Sequence, residues 1–344
     1  MATRIYGTDG SDIIRQNSTP FVTVYAYGGN DTIYLTLGGR NGGFNTVYGD
    51  AGNDRVYNSF EGGNDIFLGT GDDRYVGTGF STASSYYDVV KGGAGNDTFD
   101  VSTFHSDYYG ESGNDTFFSV GFNNLFNGGS GTDTISFESQ DDDGDLSGTG
   151  IYVDLYEGFA RSTSSYRETL VSIENAAGTG TNDTLLGSDV ANRLWGDSGN
   201  DVLKGFAGND RLYGENGNDN LSGGSGNDQI TGGTGTDTLI GGSGADRFIF
   251  TAINQSVNGS RRDVITDFRA SEGDLIDLSG IDADYTRSGN QAFDFIGRES
   301  FSGEAGELRF SGGILSGDVN GDGAGDFQIA VSGHSTLYSD DFIA

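Results

Sequence analysis

No cysteine occurs among the 344 residues. Disulfide staples, thiol catalysis and thiolate metal sites are therefore excluded. Histidine occurs twice, as His105 and His334, and neither opens an H-E-x-x-H pattern. A histidine-held zinc is excluded as well. His105 in "STFHSDYY" reads as a loop or strand-surface residue, and His334 in "SGHST" as a turn residue. There is no G-x-S-x-G elbow. Aspartate pairs are abundant, but ion ligation explains them more simply than acid–base catalysis, so no enzyme is expected. Cations are scarce: 18 lysines and arginines stand against 51 acidic residues, a formal charge of −33. Nucleic acid is an unfavourable partner for such a surface. No stretch approaches the roughly 18 apolar residues of a membrane span. Proline occurs once, at Pro20, whereas disordered chains are usually rich in it.

What is present is glycine, 61 residues, roughly two and a half times average usage. High charge with low hydrophobicity would suit an acidic glycine-rich linker, but the period decides otherwise. Asp183, Asn192, Asp201, Asp210, Asp219, Asp228, Asp237 and Asp246 are each nine residues apart. Two residues after each sits an apolar one: Leu185, Leu194, Leu203, Leu212, Leu221, Ile230, Leu239 and Phe248. Such fixed-period self-similarity marks a repeat architecture. One unit, "GGSGNDQIT" (223–231), offers six turn-forming residues and three that can form a short strand. With alternating faces, only the isoleucine points inward. Two units make one coil of turn, strand, turn, strand, and stacked coils pair their strands in parallel.

That seam is too thin to hold by itself. One apolar side chain contributes about 1.5–3 kcal/mol on full burial, while ordering nine backbones costs at least roughly 9 kcal/mol. Stacked aspartates add repulsion, so something positive must sit between the turns. Calcium fits, because it accepts six to eight oxygens at flexible geometry.

These residues resemble the RTX nonapeptide, G-G-x-G-x-D-x-(large apolar)-x. Intact G-x-x-G-x-D loops carry Gly49, Gly52 and Asp54; Gly92, Gly95 and Asp97; Gly110, Gly113 and Asp115; Gly128, Gly131 and Asp133 in the first half of the chain. In the second half they carry Gly196, Gly199 and Asp201; Gly205, Gly208 and Asp210; Gly214, Gly217 and Asp219; Gly223, Gly226 and Asp228; Gly232, Gly235 and Asp237; Gly241, Gly244 and Asp246. The resemblance implies an all-β chain forming a parallel β-roll, a right-handed solenoid, that binds several calcium ions between adjacent turns. The loop aspartates, Asp183 included, would supply carboxylate oxygen and the loop glycines carbonyl oxygen. Ser106 and Asn124 stand in aspartate positions of the first block without a carboxylate, so those sites are expected to be weak or empty.

Four segments follow from the register. Residues 1–137 form an irregular first roll, with inserts such as "GTGFSTASSYY" expected as bulging loops. Residues 138–177 break the period with an acidic loop, "SQDDDGDLSGTG", and two strand-like stretches. Residues 178–250 form the regular roll. Residues 251–344 resemble the C-terminal cap of secreted serralysin metalloproteases, on "RRDVITDFRASEGDLIDLSGID", "ELRF", "DFQIAVSG" and "DDFIA". The protease itself is absent with its zinc motif. In this cap "DVNGDGAGD" places Asp318, Asn320, Asp322 and Asp326 like the start of an EF-hand loop, but its twelfth position is Ile329 instead of glutamate. Calcium there and a plain asparagine-glycine turn both remain open.

The chain enters its first repeat at "MATRIYGTDG" without a visible signal peptide, and the tail "LYSDDFIA" resembles a type I secretion signal. The expectation is a secreted, calcium-folded, non-enzymatic protein of a surface layer, adhesion structure or biofilm matrix, self-associating outside the cell. The alternative is a module acting on or with extracellular polysaccharide; a third reading puts an active site in the irregular first block. Residues following the inward apolar positions should face outward, among them Tyr34, Tyr48, Tyr57, Tyr109, Phe118, Trp195 and Tyr213. They could be protomer contacts, sugar platforms or cover for the roll edge.

Overall fold

Alternation builds the architecture. Each strand turns its central apolar residue inward, and each six-residue loop reverses the chain onto the opposite sheet. The computed structural model describes residues 3–16, 21–36, 43–59, 62–78, 87–142, 148–163 and 166–344. Most of the insert "GTGFSTASSYY" and the centre of the acidic loop, 143–147, lie outside the described residues. The described chain forms two compact units, Met1–Ala177 and Gly178–Ala344.

In the first unit one sheet contains the parallel strands Thr3–Tyr6, Val22–Tyr25, Thr46–Tyr48, Asp65–Thr70, Val89–Ala94, Asp107–Ser112 and Leu125–Ser130. The facing sheet runs from Ile13–Gln16 through Thr32–Leu35, Arg55–Asn58, Arg74–Gly77, Thr98–Val101 and Thr116–Ser119 to Thr134–Ser136. Val24, Val47, Ile66, Val90, Tyr108 and Phe126 line the inside of one; Ile33, Val56, Tyr75, Phe99, Phe117 and Ile135 line the other. All of them are fully buried. The segment after 137 leaves the roll as antiparallel strands Tyr152–Asp154, Phe159–Thr163 and Tyr166–Val171. It rejoins where Thr169–Val171 pairs in parallel with Leu125–Asn127 and Asn175–Ala177 pairs with Thr134–Ser136.

In the second unit the inward ladder is Leu185, Leu203, Leu221, Leu239 and Ile265 on one sheet, and Leu194, Leu212, Ile230, Phe248 and Ile276 on the other. The last two rungs come from Asp263–Ile265 and Leu275–Asp277, beyond the regular repeats. Phe327–Val331 then adds to one sheet edge in parallel and continues into the antiparallel meander Glu307–Ser311, Ile314–Asp318 and Phe327–Val331. Phe342–Ile343 adds to the other edge. The architecture is a parallel β-roll, as the period implies. The outward aromatics are half-buried, because they stack on one another along the sheet: Tyr25 on Tyr48 at 5.3 Å, Tyr34 on Tyr57 at 5.0 Å and Trp195 on Tyr213 at 5.9 Å.

Candidate metal centre

Two glycines shape each loop. The first, five residues before the aspartate, lies directly beneath its carboxylate: a Cβ on Gly205 would overlap Asp210 Oδ2, and one on Gly92 would overlap Asp97 Oδ2. The second, two residues before the aspartate, has positive φ and touches the coil behind it. A Cβ on Gly217 (φ 148°) would overlap the carbonyl oxygen of Gly199. The residue following the first glycine also takes positive φ, even where it carries a side chain, as at Asp50, Glu111, Asp197, Phe206 and Glu215.

Stacking these loops aligns the aspartates. Each donates its backbone N–H to Oδ1 of the aspartate one coil on: Asp54 to Asp73 at 2.6 Å, Asp97 to Asp115 at 2.7 Å, Asp115 to Asp133 at 2.7 Å. In the second unit one row links Asp183, Asp201, Asp219, Asp237 and Asp263. The other links Asn192, Asp210, Asp228, Asp246 and Asp274. The second oxygen has no such donor. Oδ2 of Asp54, Asp97, Asp115, Asp133, Asp201, Asp210, Asp219, Asp228, Asp237 and Asp246 is buried without a hydrogen bond. Each orphaned oxygen of this kind costs about 1–3 kcal/mol.

Burial accordingly pushes these carboxyls above the ordinary aspartate range. Asp210, Asp219, Asp228 and Asp246 rise to about 6, and Asp54, Asp97, Asp201 and Asp237 to about 7. The accepted backbone N–H opposes the shift in each case.

A second acceptor crowds the same place. The carbonyl oxygen of Gly214 and Asp201 Oδ2 both lie against the position that a Cβ on Gly196 would take. Gly223 and Asp210 do the same over Gly205, and Gly232 and Asp219 over Gly214. In the first unit Gly110 and Asp97 meet over Gly92, and Gly128 and Asp115 over Gly110. Oxygens from adjacent coils thus come together over one glycine, the carboxylate oxygen having no hydrogen-bond partner, which is the donor set a hard cation takes. The residues fit calcium. Among the described residues no three carboxylate or imidazole groups converge, so carbonyl oxygens would complete the shell. A bound calcium would supply charge neutralisation and cross-coil ligation.

Sequence reasoning missed Asp274 in this ladder and three further members whose second oxygen is open. Asp31, Asp73 and Asp263 also hold buried, unbonded Oδ2 atoms. Ala26 and Leu68 replace the first glycine for Asp31 and Asp73, and no glycine precedes Asp263 in "SRRDVI". The surviving signal was Gly29 and Gly71, two residues before the aspartate. A second ladder was also missed. The asparagine preceding many of the aspartates accepts an N–H from the next coil, as in Asn53 to Asn30 at 2.9 Å and Asn218 to Asn200 at 2.9 Å.

Two groups of expected ligands differ from the rest. Asp183 Oδ2 is occupied, accepting the Thr179 N–H at 2.6 Å and its hydroxyl at 3.2 Å. In the loop 318–326, Asp318 Oδ1 accepts from Gly321 at 2.7 Å and Oδ2 from Gly323 at 2.8 Å. Asp326 accepts from Val319 and Asn320, both at 2.8 Å, and Asp322 from Ala324 at 2.9 Å. These carboxylates cap their own turn.

A family model for the RTX calcium-binding nonapeptide repeat (4 copies) matches residues 22–39, 41–60, 69–103, 109–143 and, in overlapping matches, 177–248. Together these cover just over half of the chain. No curated protein matches the sequence. Among solved structures, the AlgE6R3 subunit of the Azotobacter vinelandii mannuronan C5-epimerase is 26% identical with a TM-score of 0.30, over 48% of this chain and 80% of that one. The extracellular lipase LipA of Serratia marcescens is 17% identical with a TM-score of 0.29, over 87% of this chain and 44% of the lipase. This chain therefore spans less than half of the lipase's length. With nonapeptide matches along both units and unbonded carboxylates stacked between their coils, the chain belongs to the RTX calcium-binding repeat family.

Proposed function

We propose that this is a secreted structural protein of the cell surface or extracellular matrix, which folds on binding calcium outside the cell and self-associates there. The observation that carries it is the pairing of an unbonded carboxylate oxygen with a carbonyl oxygen of the next coil. A roll built this way is poorly stable without cations, and the charge of −33 adds repulsion. Extracellular calcium modules typically bind at about 10⁻⁴–10⁻³ M, so such a chain would stay loose in a calcium-poor cytosol and fold on release. Export by a type I machinery reading the tail "LYSDDFIA" is consistent with this order of events. No catalytic role is assigned to any residue. Far-UV circular dichroism across a calcium titration tests the folding step, and electron microscopy of the same samples tests assembly. Ordered sheets or fibres should appear only with calcium. A folded chain that stays monomeric at every calcium concentration would remove the structural reading and leave the accessory-module one.

A further inference from the structure

Two tyrosines on the outer face of one sheet of the Met1–Ala177 unit form an isolated pair. Tyr34 lies across from Tyr57 on neighbouring parallel strands. Their rings stack with centroids 5.0 Å apart and planes 11° apart, and both side chains are half-buried. Neither has a second tyrosine in register. On the preceding coil Tyr34 faces Arg15, whose guanidinium lies 4.0 Å from the ring centroid. On the following coil Tyr57 faces Val76. The stack of Tyr25 on Tyr48 in the facing sheet differs, because Tyr6 also stacks on Tyr25, at 5.5 Å. The two coils that carry Tyr34 and Tyr57 also carry one step of the carboxylate row. Asp31 donates its N–H to Asp54 Oδ1 at 2.7 Å, and Oδ2 of both is buried without a hydrogen bond. The chain has no cysteine with which to tie these coils together.

We propose that Tyr34 and Tyr57 are an oxidative cross-linking site, which joins the two coils through a dityrosine bond when a peroxide acting in one-electron steps meets the folded roll. Each phenol gives up one electron and its hydroxyl proton. The unpaired electron spreads onto the Cε carbons, next to the carbon that bears oxygen. Two such radicals join in one Cε–Cε bond. The hydrogen on each joined carbon then moves to the phenolic oxygen, so both rings become phenols again. Two electrons and two protons leave in all: the electrons break the O–O bond of the peroxide, and the protons go to its oxygens or to solvent. Stacking holds the reacting carbons near one another in advance, so coupling needs no encounter. Arg15 lies over the Tyr34 ring from the preceding coil, which hinders a tyrosine of another chain from taking the place of Tyr57. In the unfolded chain the two residues stand twenty-three positions apart and move freely, so folding sets the yield. The bond would restrict the unfolded chain as a disulfide does. The proposal rests on the calcium-driven folding proposed above, and not on self-association.

The experiment uses the full chain, dilute, with persulfate and a ruthenium tris-bipyridyl photosensitiser as the oxidant. Far-UV circular dichroism reads folding beforehand, in saturating calcium and in chelator. Mass spectrometry of digested monomer identifies the link as joined peptides two hydrogen atoms lighter than their sum, and fragmentation places the bond. The expected result is a Tyr34–Tyr57 link within one chain in calcium, and at least about tenfold less in chelator. Tyr57→Phe keeps a ring to stack but cannot form the phenoxyl radical, and should leave Tyr34 unjoined. Tyr285→Phe, which removes an exposed tyrosine of the other unit, should leave the link unaltered. Linked monomer should fold at a calcium midpoint at least about twofold lower than unlinked monomer. If Tyr57→Phe fails to fold, Tyr34→Phe makes the same test from the other ring. No Tyr34–Tyr57 link in folded protein, an equal yield in chain unfolded by chelation, Tyr34 joining another tyrosine as readily in the Tyr57→Phe variant, or an unchanged midpoint after linking would each overturn the proposal. An equal yield in chelated chain that circular dichroism shows still folded would support the site and count against calcium-driven folding alone.

Discussion

Asn64 donates twice to Asp88 Oδ1, from its backbone at 2.8 Å and from its side chain at 2.9 Å. The relationship marks one edge of the first unit as different from the other. Along it Asn45 donates to Asn64, Asp88 to Ser106, Ser106 to Asn124 and Asn124 to Glu168. Asn58 supplies Asp88 Oδ2 at 2.7 Å. An amide both donates and accepts, whereas a carboxylate only accepts, so a mostly neutral ladder closes without a cation. The opposite edge stacks Asp31, Asp54, Asp73, Asp97, Asp115 and Asp133, each with an unbonded oxygen. With calcium chelated, hydrogen exchange should therefore accelerate first at the amides of Asp54, Asp73, Asp97 and Asp115. Those of Asn64, Ser106 and Asn124 should keep protection longer. Simultaneous loss along both edges would show that the neutral ladder holds nothing.

Glu168 should give this unit a pH dependence of its own. The side chain is buried among amide and hydroxyl groups, accepting from Asn124 at 2.6 Å and Ser119 at 3.2 Å. Burial pushes its carboxyl up to about 8, against the pull of those hydrogen bonds. A carboxyl raised on folding favours the folded state when protonated. That contribution is complete below its ordinary value near 4.5 and is lost as pH rises toward 8. In saturating calcium, stability should fall between pH 5 and 8 by at most about 1.4 kcal/mol per pH unit. Glu168→Gln should flatten the curve. An unchanged slope in the variant would assign the dependence to other groups.

The register of Asp97, Asp115 and Asp133 was legible because each has a large apolar partner two residues on, and those partners, Phe99, Phe117 and Ile135, became one fully buried column. The ladder role of Asp31 and Asp73 was not, since irregular spacing and the replacement of one glycine hid them. Their loops still form because a positive φ after the first loop position is reached by Tyr27 and Gly69. Asp263 was hidden for a different reason. Its strand copies the register of the repeat through sheet pairing with Thr238 and Leu239, after a connection whose sequence resembles no repeat. The neutrality of Ser106 and Asn124 was readable, but a hydrogen-bonded column replacing the ion row depends on partners such as Glu168, forty-four residues away in sequence from Asn124.

Close approach of coils should make the second loop glycine far less replaceable than an ordinary positive-φ glycine. Gly217 and Gly312 both have positive φ, but a Cβ on Gly217 would overlap the Gly199 carbonyl, while one on Gly312 meets open space. Gly312→Ala should cost about 1 kcal/mol, from backbone strain alone. Gly217→Ala should cost about 2–4 kcal/mol, because strain is joined by a clash with backbone that cannot move aside. Calcium-saturated thermal denaturation of the two variants compares them directly. Equal costs would mean that the coils can separate locally without penalty.

Asp219 and Asp183 occupy equivalent repeat positions but should respond differently to the same change. Asp219 Oδ2 is buried and unbonded, close to the Gly232 carbonyl. Asp183 Oδ2 is held by Thr179, as Asn192 Oδ1 is held by the Ser188 N–H at 2.6 Å. Asn192 shows that an amide serves in a loop closed this way. Asp183→Asn should leave the calcium midpoint of folding within about twofold, whereas Asp219→Asn should raise it severalfold by removing a charged ligand. The residue four before the aspartate explains the difference. Open loops have positive φ there, as at Glu215 (φ 72°) and Gly224 (φ 110°), while Thr179 and Ser188 keep negative φ and turn their hydroxyls onto the side chain. Thr179→Gly should thus release Asp183 and add one bound calcium by isothermal titration. A variant that binds no additional ion, or an Asp183→Asn midpoint shifted as far as that of Asp219→Asn, would refute the division into open and closed loops.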